Sequence, residues 1–236
     1  KIGGAYTSEW CIVPVSKPDF LEFINMARRV FDMNFTLPYQ FAFLRPEPKA
    51  WMPDTDENIR SFIENKGVQV LCVTTGSDTH ASTHFIEKGD HANYVRYFEI
   101  VKRVAPGVIP IIYWDCFLDD NAPNIERFKT DRVVKNDGTQ VDYGGTHSAM
   151  KMFLPTLTNG FGVEMARFVD TLFDKCGGRG IYWDEIEYSA CRYHYGKPWD
   201  EVSGDIEPQT FVLLNKKSSV TLLSQPFSLQ KAKRIL

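Results

Sequence analysis

The tetrapeptide Ile-Tyr-Trp-Asp occurs twice in this chain, at residues 112–115 and 181–184, each time closing a short apolar or glycine-led run. A β-branched run that ends in aromatic rings and a carboxylate has the pattern of a parallel strand with polar groups at its C-terminal end. Parallel strands need long crossover connections, most often helices. The sequence supplies them. Residues 2–13, 35–43, 68–73, 108–114, 181–183 and 219–224 read as strands, and helical spacing runs through 16–33, 54–66, 91–104 and 161–175. Helix starts are signalled by Ser16-Lys17-Pro18-Asp19, by Asp54 with Glu57, and by Asp90; Gly67 and Pro106-Gly107 are stops.

This alternation implies an α/β protein with right-handed crossovers. Two architectures fit, an open doubly wound sheet and a (β/α)8 TIM-type barrel. The sheet would carry a glycine-rich phosphate loop after its first strand, and none is present. The barrel is therefore the expected fold, over a single domain of residues 1–236. A full barrel takes about 250 residues. With two long insertions, about six β-α units fit here, so the C-terminal units are expected to be missing. One insertion, residues 117–158, holds the Asn136-Asp137-Gly138 turn of a β-hairpin and is expected to cover the barrel mouth. In the other, residues 188–208 are long, polar and aromatic; further on, residues 211–214 read as helical.

A net charge of −3 and the lack of a basic stripe argue against a nucleic-acid partner. No apolar stretch approaches the roughly 20 residues of a membrane span. The five cysteines leave at least one unpaired, and no Cys-x-x-Cys spacing points to zinc or redox work. Asn34-Phe35-Thr36 is a formal glycosylation sequon. His80 and His84 are four apart, but Ala81 stands where a zinc protease carries glutamate, so no metal and no cofactor are expected. His147 and His194 fall in mouth-side loops. Nucleophilic serine chemistry finds no G-x-S-x-G; Gly145-Thr146-His147-Ser148-Ala149 lacks the pattern.

The acidic residues carry the chemical expectation. Side chains alternate along a strand, so Tyr182 and Asp184 share one face and Trp183 and Glu185 the other, just as Tyr113 and Asp115 oppose Trp114. Asp115 and Asp184 are equivalent ends of two strands. Glycoside cleavage needs two carboxyl groups flanking the bond, about 5–5.5 Å apart for retention or 6.5–9.5 Å for inversion. Asp184, Glu185 and Asp115 are the catalytic candidates, with Glu187 and Glu9 behind them. Tyr113, Trp114, Tyr182 and Trp183 would stack on sugar rings or support such a platform, and Glu187 and His147 would bind polar groups of the ligand. The competing reading is that these acids form ion pairs, cap helices or line a solvated rim, and that the rings fill a core.

Residues 128–189 resemble barrel glycoside hydrolases. The shared parts are a hairpin V-x-x-x-D-G-x-x-V, a small and polar segment, a helix, and a strand reading G-[IV]-Y-x-D-E. They correspond to residues 133–141, 144–158, 161–175 and 180–185. The resemblance implies Asp184 as nucleophile or base, Glu185 or Asp115 as partner acid, an oligosaccharide or polysaccharide as ligand, and a secreted protein in the extracellular space or secretory pathway. The sixth predicted strand ends Ser224-Gln225-Pro226-Phe227, without the acid several such families keep there. That motivates a second reading, a non-catalytic glycan-binding or structural protein on a degenerate barrel. In either case a further segment of the same protein or a neighbouring chain is expected to complete the barrel.

Overall fold

A computed structural model describes residues 7, 9–33, 38–44, 55–74 and 91–235. Its contacts divide the chain into two units, Lys1–Pro38 and Tyr39–Leu236. The predicted cap residues Asp54 and Asp90, the sequon, His80 and His84 lie outside the described residues.

In the first unit, α1 spans Phe20–Val30. Asp19, not Ser16, is its N-cap, accepting hydrogen bonds from the backbone N–H groups of Leu21 and Glu22. Ser16 is used differently: its N–H and hydroxyl both donate to Glu22. Residues 9–13, the described end of the expected first strand, form none. Trp10 and Ile12 are each 78% exposed, and among the described residues no ladder partner offers the hydrogen bonds a strand requires.

The second unit is built on a parallel sheet in the order β1–β2–β3–β6. β1 spans Phe41–Leu44, β2 Val70–Val73, β3 Ile109–Trp114 and β6 Ile181–Trp183. The chain is thus α/β, with four parallel strands among the described residues, where six were expected of the chain. Three crossover helices lie between them: α2 (Asp56–Lys66), α3 (His91–Val104) and α5 (Gly160–Asp174). Thr55 caps α2 by accepting from Asn58, and Gly67 ends it in the left-handed conformation that glycine adopts without strain. Asn159 caps α5 by accepting from Gly162. A Cβ at Gly162 would sit 1.9 Å from the Thr156 carbonyl oxygen, so only glycine fits there.

Between β3 and α5, the expected elaboration is present. It holds β4 (Leu118–Asp119) paired antiparallel with β5 (Lys151–Met152), the short α4 (Ala122–Arg127), and a hairpin bridged at Val134 and Gln140. The hairpin turns at Gly138, whose φ is +81°. After β6 come β7 (Tyr193–His194), β8 (Gly204–Ile206), β9 (Leu213–Lys216) and β10 (Ser218–Ser219) in two small antiparallel sheets, then α6 (Val220–Ile235).

Two elements correct the sequence reading. Residues 211–214, expected to be helical, lead into β9, which pairs with β8. In place of the predicted sixth strand at 219–224, Ser219 ends β10 and residues 220–224 begin α6. Val220, Ser224, Phe227 and Lys231 are its buried residues, a helical spacing hidden inside a β-prone composition. The Ser219 hydroxyl accepts from Leu222, and the Ser224 hydroxyl donates back to the Val220 carbonyl, so both serines serve helix geometry.

His194 ties the hairpin to the segment after β7. Its Nδ1 accepts from the Val134 N–H at 3.1 Å, and its Nε2 lies 3.1 Å from the Lys197 carbonyl, which requires the neutral ring with the proton on Nε2. Burial holds its pKa below the ordinary histidine value. The unfolded chain takes up that proton first, so the stabilisation is present above about pH 6.5 and lost as pH falls through the depressed folded value. Thermal melts should show stability falling below about pH 6.5, and His194→Ala should lose about 1–3 kcal/mol at pH 8 while flattening that dependence. An unchanged pH profile in the variant would remove His194 from this role.

Candidate active site

The register of β3 with β6 places Tyr113 opposite Tyr182 and Trp114 opposite Trp183. The two Ile-Tyr-Trp-Asp copies are therefore in register, and Asp115 and Asp184 leave the sheet side by side. The Asp184 N–H donates to the Trp114 carbonyl at 2.9 Å, extending the ladder to the carboxylate itself.

The rings divide between the faces as alternation requires. Trp114 is 1% exposed and packs on Phe168, Trp183 and Phe227, with centroid separations of 5.9, 4.6 and 6.4 Å. It is a core ring without access to a ligand. The Trp183 indole lies against the Cys116 thiol on the same side. On the other face Tyr182 stacks on Tyr113 at 5.9 Å and on Phe41 at 5.5 Å, with Phe43 edge-on at 4.9 Å. Of the four rings expected at the site, only Tyr113 and Tyr182 are on the carboxylate face.

Asp184 accepts from the Tyr113 hydroxyl at 2.7 Å and from the Glu185 N–H at 3.1 Å. Burial and the bond to Asp184 push the Tyr113 hydroxyl far above its ordinary pKa, so it stays a donor. Asp115 is 1% exposed, and its Oδ1 accepts from the Phe117 N–H at 2.7 Å. Burial raises its pKa well above the carboxyl range, and the neighbouring Glu185 and Asp184 charges add to the rise, against the opposing Phe117 bond. The rise favours the protonated form of Asp115, whose carboxyl hydrogen-bonds Glu185.

Strand alternation predicts Glu185 on the face opposite Asp184. It does not stay there, because its φ is +49°. A left-handed non-glycine residue costs about 1–3 kcal/mol and persists only where its surroundings hold it. Here Glu185 is held by Asp115, by the Tyr143 hydroxyl at 3.3 Å from Oε1, and by the Ser189 hydroxyl on Oε2. Tyr143 and Ser189 are the site residues that sequence reading missed. Ser189 is four positions after Glu185, the separation of a single tight turn, and Tyr143 follows the predicted hairpin. His147, exposed, meets Tyr143 edge-on at 6.1 Å. Glu187 is exposed and outside the carboxyl cluster, and its carbonyl accepts from Thr221. Glu9 is exposed in the first unit.

Compared with known proteins, the chain matches no family model and no curated sequence. Its site is thus read from geometry: three carboxyl groups at two adjacent strand ends, one of them buried.

Because burial raises the pKa of Asp115 above its unfolded value, the folded chain binds that proton more tightly, and stability is lost progressively as pH rises from about 4 toward the folded value. Asn at this position keeps an acceptor for Phe117 and a donor for Glu185 without the titration. Asp115→Asn should melt near the parent temperature at pH 4 and above it at pH 8. A variant that melts lower at pH 8 than the parent would show that the aspartate is ionised in the fold.

Proposed function

We propose that this protein acts on carbohydrate, hydrolysing glycosidic bonds with Asp184 as nucleophile or base and Glu185 as the acid. The observation that carries the reading is the cluster of Asp115, Asp184 and Glu185 at neighbouring parallel strand ends, with Asp115 and Glu185 hydrogen-bonded to each other. Asp184 accepts from two donors and faces the open side of the sheet, so its carboxylate can attack an anomeric carbon or activate a water. As the C–O bond breaks, the leaving oxygen takes the proton of the Asp115–Glu185 pair through half-buried Glu185. Where Asp184 is the nucleophile, an incoming water then adds its oxygen to the sugar carbon as the ester bond to Asp184 breaks, and returns a proton to the pair; where Asp184 is the base, it takes the proton of the attacking water in the same step. Asp115 is too deeply buried to touch substrate and acts as a positioning residue.

A barrel is the finer architecture that this sheet supports. Its β2 and β3 core residues, among them Leu71, Val73, Ile112 and Trp114, belong to one buried cluster with Ile59, Phe98, Val101 and Phe168 of the three crossover helices. On the opposite face Phe43, Val70, Ile109, Ile111, Tyr113 and Tyr182 are only partly buried and Phe41 is exposed. A doubly wound sheet carries helices on both faces; a barrel carries them on one and closes the other upon itself. The units needed to close it would pair beyond β1 and β6, from the same protein or a neighbouring chain.

The saturation of Glu185 by three partners favours the second reading, a site kept for binding alone. Hydrolysis of a broad glycan panel separates the two. The parent should cleave at least one glycan, and Asp184→Asn should lose about a thousandfold or more in kcat. Full activity in the variant would remove Asp184 from the mechanism. Binding without cleavage by the parent would favour the second reading.

A further inference from the structure

At the other end of the sheet lies a cavity of about 510 Å³, lined by residues that precede the strands rather than follow them. Its apolar wall includes Phe98 of α3 and Val108 and Pro110 at the start of β3, all buried. Its rim holds three cations: Lys102, Lys175 and Arg179. Among the described residues none of the three is in an ion pair. The two acids of the rim are engaged elsewhere. Asp174 pairs with Arg234 at 3.4 Å, and Glu99 lies in the field of Arg103. Cys176 also lines the cavity, and burial pushes its thiol up to about 11, so it adds no negative charge.

Basic side chains at helix C-termini complement the helix dipole, and that alone explains Lys102 in the last turn of α3 and Lys175 after α5. It does not explain Arg179, which follows the Gly177-Gly178 turn and is fixed by its backbone N–H on the Pro110 carbonyl at 3.2 Å. Nor does it explain why all three surround a concave apolar surface of the volume range that small ligands occupy. We infer that this cavity binds a small amphipathic anion, an apolar or aromatic body seated on Phe98, Val108 and Pro110 with its phosphate or carboxylate among Lys102, Lys175 and Arg179. This site is separate from the carboxyl cluster and independent of the glycosidase reading.

The test is amide NMR titration of the intact protein with phenyl phosphate, phenylacetate, benzyl alcohol and inorganic phosphate. Phenyl phosphate or phenylacetate should shift the amides of residues 102–108 and 176–180. Which of the two binds more tightly identifies the head group. Benzyl alcohol, with the ring but no charge, and inorganic phosphate, with the charge but no ring, should each bind at least about tenfold more weakly than the better anion, because each removes one half of the recognition. Lys102→Gln and Arg179→Gln, at exposed positions and checked for fold by circular dichroism, should each weaken binding about tenfold. Glu99→Gln should strengthen it by removing a like charge from the rim. The inference is overturned if those amides do not move, if benzyl alcohol or inorganic phosphate matches the aromatic anions, or if all three variants bind like the parent.

Discussion

Everything distinctive in this molecule depends on the parallel pairing of β3 with β6. A shift of one residue would turn every side chain of a strand to the opposite face. In the observed register Trp114 and Trp183 fall together on the helix-covered side, and Tyr113 and Tyr182 fall together on the other. The same register sets Asp115 beside Asp184. The repeated tetrapeptide is thus one structural unit used twice, its Trp serving the core, its Tyr the open face and its Asp the site.

From that pairing the electrostatics follow. Asp115 is buried, as are its chain neighbours Trp114, Cys116 and Phe117. A charge there would be costly, and two further carboxylates stand beside it. Retaining its proton is the cheapest solution, and Glu185 turns out of the strand to share it. The unfavourable backbone at Glu185 is thereby explained by its partners rather than by the turn alone. Tyr143, at the end of the hairpin elaboration, closes the arrangement by reaching Glu185 from outside the sheet.

Much of this was legible in the sequence where local pattern and tertiary environment agree. Val70–Val73 and Ile109–Trp114 are β-branched, bounded by stops, and form central strands. His91–Val104 has the predicted boundaries, and the Asn-Asp-Gly turn is where it was expected. The failures have physical causes. Residues 219–224 are β-prone in composition, yet two serines complete helix hydrogen bonds and the burial period is helical. Residues 9–13 are mostly apolar but have no strand to pair with among the described residues. Glu185 could not be placed by alternation because its left-handed backbone is imposed by contacts with residues 70 and 42 positions earlier, Asp115 and Tyr143.

The proposed site rests on a protonated Asp115 beside Glu185 and Asp184 at the strand ends. Carboxyl-carbon NMR of the protein labelled at aspartate side chains, assigned with Asp115→Asn, measures this directly. The Asp115 resonance should keep the chemical shift of a protonated acid well above pH 4, where a free aspartate carboxyl ionises. An Asp115 resonance that moves to the carboxylate position near pH 4 with the others would contradict it.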